Sequence, residues 1–449
     1  MSLIEQIRKA GIVGCGGAGF PTHAKLAAQG VDTLIINAAE CEPLLRTDRT
    51  LLKTAPNRIL TAAEAVKAHL GAVRAVIALK ESYTEEIAAL EATGKIGENL
   101  SIYKMKSTYP AGDEHVMVYE VTGRIVPPGG LPLAVGCVVS NAATMYAVSH
   151  AMQDRPFIKR ILTVTGAVRE PLVLSAPLGT SFAACLSAAG GPLTEDYIVV
   201  NGGPMMGKPL TKEEADKAVV TKTTGGFLVL PRSVKLWQYH QRPLEHSIKQ
   251  AASACIQCSF CTGMCPRYLL GHPIEPHKIM RAVGGGKDVE MLTQHPAVQG
   301  AAYCCECGIC ELVACPMGLR PRQINQYAKQ LLRAQGIRPT PPPDWKPAVR
   351  PFRDERRIPT KKAAQSAGVL RYYHTDISKT AELTPQEVCI AVNSHIGVPA
   401  EPTVTVGERV RLGQRIAAAP EGKLSADYHA SIAGTVLEVK DNTIRISAA

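Results

Sequence analysis

The residues best suited to chemistry in this 449-residue chain are cysteines. There are fourteen, and nine of them fall in two short runs. CIQCSFCTGMCP places Cys255, Cys258, Cys261 and Cys265 ahead of Pro266, and CCECGICELVACP places Cys304, Cys307, Cys310 and Cys315 ahead of Pro316. The first run reads C-x2-C-x2-C-x3-C-P, a pattern that binds a [4Fe–4S] cluster. A thiolate at every third residue of a tight loop reaches three corners of a cubane. The cysteine before proline lies on the departing helix and serves the neighbouring cluster. The spacing therefore predicts one cluster on Cys255, Cys258, Cys261 and Cys315, and another on Cys304, Cys307, Cys310 and Cys265. The second run has x4 where the first has x3, an extra residue expected to be absorbed at the loop-to-helix junction. Cys305 has no place in the scheme and is expected to be a packed thiol. Structural zinc generally takes two C-x2-C pairs, not a triplet plus C-P. In a reducing compartment clustered thiols bind metal or do redox chemistry, because disulfides are disfavoured there.

A second candidate is GIVGCGGAGFPTHAKL, where Gly14, Gly16 and Gly19 spell G-x-G-x-x-G. A Rossmann fingerprint must follow a buried strand. Here Leu3, Ile4, Ile7 and Ala10 recur at helical spacing instead, so a helix precedes the loop. Pro21 suits the first turn of a following helix. The loop still fits a phosphate, because glycines admit backbone N–H groups close to an anion, and Lys25 sits one turn into that helix.

Three further stretches join it. TLIINAAECEP is an apolar strand ending in Asn37, Glu40 and Glu42; STYPAGDE sets Tyr109, Gly112, Asp113 and Glu114 in a turn; VGCVVSNAAT ends a strand at Asn141 with Thr144 opening a helix. Polar residues at the carboxyl ends of strands line ligand crevices in α/β domains. The four stretches, in this order, resemble the flavin and NADH site of the FMN-carrying subunit of respiratory complex I, and still more that of the C subunit of Rnf-type electron-transport complexes. The resemblance covers about residues 1–330. It implies FMN contacts from Gly14, Gly16, Gly17, Lys25, Asn37, Glu40, Tyr109, Gly112, Asn141 and Thr144. It places Phe20, Glu42, Asp113 and Glu114 near NADH. Asp113 stands where a glutamate is usual in the complex I protein.

The remaining chain is modular. An α/β multidomain architecture is expected: a flavin/NADH-binding domain of the complex I FMN-subunit type, distinct from a standard Rossmann domain (1–155), a soluble-ligand-binding β-grasp module (156–240), a ferredoxin-like helical domain with two clusters (241–335), a Pro-rich basic linker (336–384), and a barrel-sandwich hybrid (385–449). SADYHASIAG in the last has no lysine, so no lipoate is expected. The barrel follows the clusters, whereas it precedes the flavin domain in the Rnf protein. That order makes the chain similar, end to end, to the cobalamin reductases of propanediol-utilising bacterial microcompartments. The resemblance implies NADH as donor and cobalamin or another one-electron acceptor. It also implies microcompartment shell or enzyme proteins as partners, in a cytoplasmic microcompartment. Two rivals fit the same residues: an Rnf-type electron-input protein feeding ferredoxin or quinone, and a non-enzymatic iron–sulfur carrier. No acid–base residue is required for hydride transfer.

Composition excludes other classes. The net charge of +11 has no basic stripe interleaved with aromatics, which total 5%, so nucleic-acid binding is not expected. No apolar run nears the roughly 18 residues of a membrane span, and MSLIEQIRKA lacks the apolar core of a secretory signal. Oxygen-free preparation is expected to give a coloured protein carrying iron and acid-labile sulfide. Metal analysis that finds zinc instead overturns the cluster assignment.

Overall fold

The computed structural model describes residues 1–286 and 288–448. Helix α1 (Leu3–Lys9) opens the chain with a capping box: Ser2 Oγ accepts from Glu5 N, and the Glu5 carboxylate accepts from Ser2 N at 2.9 Å. The glycine loop leads into α2 (Thr22–Leu26) and β1 (Thr33–Asn37). There follow α3 (Thr47–Thr54), α4 (Pro56–Leu70), β2 (Arg74–Lys80), α5 (Thr84–Glu91), β3 (Leu100–Met105), β4 (Thr108–Tyr109), α6 (Glu114–Thr122), β5 (Cys137–Asn141) and α7 (Ala142–Ala151). The parallel sheet runs β3-β2-β1-β5. Its strands are near-continuous apolar runs because both faces are covered. Leu34 and Ile36 pack with Ile59 and Met145 on one face, and Ile35 packs with Met117 and Val118 on the other. Strand order reverses at β1, where Asn37 and Asn141 are register partners at the carboxyl ends. Open α/β sheets bind ligands at such a switch point.

The β-grasp unit contributes the strands Lys159–Gly166, Leu172–Pro177, Tyr197–Asn201, Lys208–Leu210 and Gly226–Pro231. Its helix Phe182–Ala188 sets Phe182 on Phe227 with ring centroids 4.5 Å apart. The next unit packs the helices Leu244–Ser253, Pro276–Gly284 and Pro321–Ala334 around Ile279, Ile324 and Leu332. Between Cys261 and Cys265 the chain takes an α-helical turn, Phe260–Gly263, whereas between Cys310 and Cys315 it forms a π-helix, Ile309–Ala314. A π turn holds one more residue per turn than an α turn. The extra residue of the second run is absorbed there.

The stretch 336–384, expected as a Pro-rich basic linker, forms a strap. Ile358–Pro359 pairs with β4, and the helix Thr360–Ser366 buries Ala363 and Ala364 against Tyr109 and Trp237. Arg353 and Arg357 both pair with Glu120, and Thr380–Glu382 extends the β-grasp sheet. Composition pointed to polyproline and charge, but a few well-spaced apolar residues suffice to seat the segment. The C-terminal unit is two small sheets, one with Glu387–Ala391, Arg409–Val410, Gly434–Lys440 and Thr443–Ala448, the other with Glu401–Pro402, Arg415–Ala418 and Tyr428–His429. Among the described residues no helix is long and apolar enough to cross a membrane.

Lys222 joins three units. Fully buried, its Nζ donates to the carbonyls of Gly11 at 2.7 Å and Asp427 at 2.6 Å and lies 3.8 Å from the Tyr428 ring centroid. Lys222→Met keeps the volume and leaves two buried carbonyls without a donor. The expected loss is about 2 kcal/mol, read as a lower denaturation midpoint and earlier proteolytic release of the C-terminal barrel.

Candidate functional site

The crevice is built from four loop ends. Gly14 N donates to Phe20 O at 2.9 Å, closing the glycine loop. Cys15 N donates to Thr144 Oγ1 at 2.9 Å, tying the loop to α7. Gly16 is pressed against Asn141: a Cβ there would lie 2.9 Å from that side chain. At Gly17 a Cβ would meet nothing within 4 Å, so this face of the loop is open. Asn37 Nδ2 donates to Gly112 O at 2.9 Å, and Asn141 Nδ2 donates to Asp48 Oδ2 at 2.7 Å. Lys25 Nζ pairs with Glu114 at 2.9 Å, both half-exposed, and Phe20 at the end of the glycine loop is exposed. An open glycine face, a lysine and carboxamides at a switch point suit a flavin phosphate and ring edge.

The other expected site residues hold partners within the chain. Glu42 accepts from the amides of Met205 and Met206, each at 2.9 Å, so it holds the GGPMMG loop of the β-grasp unit. Asp113 caps α6 through His115 N and Val116 N and pairs with Arg267 at 2.8 Å. The Tyr109 hydroxyl donates to Cys307 O at 2.8 Å, and the residue is only 2% exposed. The Glu40 carboxylate accepts from Asp48 N. In each case burial forces a polar group to find a protein partner. The sequence reading missed Asp48, which holds Asn141, and Arg160, which is buried and donates to Cys15 O at 2.6 Å. A charge inside the strand RILTV was the available signal for Arg160. A polar cavity of ≈ 370 Å³ lies behind the 40–43 turn, lined by Glu40, Arg46, Arg49, Lys80 and Tyr83 among others.

The structure brings Cys255, Cys258, Cys261 and Cys315 around one cavity. Burial, then charge on neighbouring cysteines, pushes the Cys265, Cys304 and Cys310 thiols upward, and at Cys307 the hydrogen bond with Cys305 comes first, followed by burial and the charges of Cys305, Cys265 and Cys310. The two loops share one backbone design. Gln257 (φ 54°) and Ser259 (φ 60°) alternate with cysteines in the first, and Glu306 (φ 61°) and Gly308 (φ 81°) do so in the second. Left-handed non-glycine residues are uncommon and persist where the surroundings require them. Glu306 N and Leu319 N each approach a thiol sulfur, those of Cys304 and Cys315, at 3.4 Å. Convergent thiols with backbone amides aimed at sulfur fit a cubane, whose potential such hydrogen bonds tune. Cys305 packs beside Arg267.

Electrostatics at the β1 turn carry a pH signature. Burial, reinforced by Asp48, pushes the Glu40 carboxyl up to about 8, and burial raises Glu42 to about 7. Burial pushes the Asp113 carboxyl up, but the Arg267 guanidinium, His115 and the Val116 amide together hold it below its ordinary value. For Glu40 the folded protein keeps its proton to higher pH than the unfolded chain does. Its contribution is complete below about 4.5 and is lost as pH rises through about 8. Glu40→Gln is therefore expected to lose less Tm than the parent between these limits. An unchanged pH slope in calorimetry contradicts this.

Residues 7–150 match the Nuo51 FMN-binding domain, 161–209 the SLBB domain, 254–320 the 4Fe-4S dicluster domain, and 368–448 the RnfC barrel sandwich hybrid domain. The chain is 39% identical over 443 residues to cobalamin reductase PduS of Citrobacter freundii, covering 98% of this chain and 95% of that one. The PduS of Salmonella typhimurium gives the same figures. The C subunit of the Na(+)-translocating ferredoxin:NAD(+) oxidoreductase complex of Acetobacterium woodii is 33% identical over 270 residues, 59% of this chain and 58% of that one. Among solved structures, an NAD+-reducing [NiFe]-hydrogenase in the H2-reduced state aligns at TM-score 0.48 and 22% identity, over 76% of this chain and 63% of that one. With four such units in this order and near full-length identity of this size, the chain belongs to the cobalamin reductase PduS family.

Proposed function

We propose that this chain is an NADH-dependent reductase that passes electrons, by way of FMN and two [4Fe–4S] clusters, to cob(III)alamin or cob(II)alamin. The observation that carries this reading is one turn, 109–114, which contacts a flavin-type crevice at Gly112 and a cysteine loop at Tyr109. Near full-length similarity to proteins named cobalamin reductase supports cobalamin as acceptor. We further place the activity in B12-dependent propanediol use within a bacterial microcompartment, in contact with its shell or enzyme proteins.

FMN, when bound, would supply a centre able to take up one hydride, an electron pair, and give up single electrons, which matches a two-electron donor to one-electron centres. One NADH becomes NAD+ and a proton, and two acceptors each gain one electron. The protein's part is positioning. The Gly14–Gly17 loop and Lys25 would hold the phosphate, held in turn by Arg160 and Thr144. Asn37, Gly112 and Asn141 would line the ring edge, fixed by bonds to one another's strands and to Asp48. Phe20 and Glu114 border the open face where a nicotinamide would stack. Glu42 and Asp113 act one step back, fixing the turns.

The deciding measurement is anaerobic, NADH-dependent cob(II)alamin reduction compared with a generic one-electron acceptor. Bleaching of a flavin spectrum by NADH with reduction of both acceptors is expected. Cys258→Ala is expected to lose acceptor reduction far more than flavin bleaching. Iron–sulfur absorbance without any flavin or NADH response would leave only an electron carrier.

A further inference from the structure

The two cysteine loops have the same backbone design but different surroundings, and the difference gives the pair a direction. Both turns of the flavin-type crevice reach the second loop. The Tyr109 hydroxyl donates to Cys307 O at 2.8 Å. Four residues on, Asp113 pairs with Arg267, which lies two residues after Cys265 and also reaches the Cys305 thiol. From the other turn, Glu42 holds the Met205 and Met206 amides, while Arg322 donates to Met205 O and pairs with Glu311 at 3.4 Å inside the π-helix. A Cβ at Gly308 would lie 3.1 Å from that same Met205 carbonyl. The second loop is accordingly buried from Cys307 to Cys310. The first loop faces outward: Ile256 is 61% and Phe260 53% exposed, and Met317, beside Cys315, is exposed too.

We propose that the site of Cys304, Cys307, Cys310 and Cys265 is the electron entry from the flavin, that the site of Cys255, Cys258, Cys261 and Cys315 is the exit to the one-electron acceptor, and that Tyr109 is the positioning residue at the entry. This rests on the flavin and cluster reading above. Each site takes one electron at a time. The two electrons given up per NADH oxidised leave through the exposed site to two acceptor molecules, and the proton is released to solvent.

Electron paramagnetic resonance of the full, reconstituted chain separates the two sites. Samples are reduced either by NADH or by dithionite, which needs no flavin. In Cys307→Ser, dithionite is expected to reduce the first-loop cluster and NADH is not. In Cys258→Ser, both reductants are expected to reduce the second-loop cluster. The reverse pattern, with NADH reaching the surviving cluster in Cys307→Ser but not in Cys258→Ser, overturns the assignment. Should either serine variant fail to assemble, Tyr109→Phe keeps every cysteine. A slower NADH-driven cluster signal with an undiminished dithionite signal supports the entry, and an unchanged NADH-driven rate overturns it. If NADH bleaches no flavin in the parent protein, the functional reading fails first, and this is distinguishable from a wrong direction.

Discussion

The architecture hangs on the turn between β4 and α6, a short piece of chain that two units must share. Its Gly112 carbonyl is held by Asn37 at the switch point, its Asp113 caps α6 and pairs with Arg267, and its Tyr109 reaches a cysteine loop. The Asp113–Arg267 pair is almost wholly removed from water. Breaking a buried pair leaves an uncompensated charge, which costs several kcal/mol, about 3–5. The distance between crevice and cysteine loop is thus set by rigid bonds, not by a flexible linker. Electron transfer between fixed centres requires that fixity.

The rest of the fold reinforces the same junction. The strap lies over β4 with Ile358 opposite Tyr109, and its helix packs into the core that also holds Cys307 and Ile309. The barrel reaches the glycine loop, where Ile396 N donates to Gly19 O at 3.1 Å, and Lys222 holds it to the first unit. The C-terminal barrel, far along the chain from the flavin-type loop, is therefore a wall of its neighbourhood. Its place after the cysteine runs is compatible with this because the strap carries the chain back across the molecule.

The cysteine unit repeats one loop design in two different surroundings. Left-handed residues recur at equivalent positions of both loops, since each must turn backbone amides inward between successive thiols. The π-helix lets the second run carry one more residue without moving its last cysteine off the first site. What differs is the environment: one loop is covered by three units, and the other meets water with apolar side chains.

Local spacing determined much of this. Cysteine triplets ahead of proline, the helix before the glycine loop and the strands ending in Asn37 and Asn141 were all legible, because thiol reach and hydrophobic periodicity are properties of a few consecutive residues. The strap was not legible, since Pro-rich and charged composition reads as solvent-exposed until distant partners such as β4 and Glu120 are supplied. Nor was the direction in which Glu42, Asp113 and Tyr109 point, although all three lie in recognisable stretches. A polar side chain entering the interior must satisfy its hydrogen bonds there, and whether the partner is a ligand or another unit of the chain depends on contacts more than a hundred residues away. Sequence spacing named the groups capable of redox chemistry, and only tertiary burial decided which of them face each other.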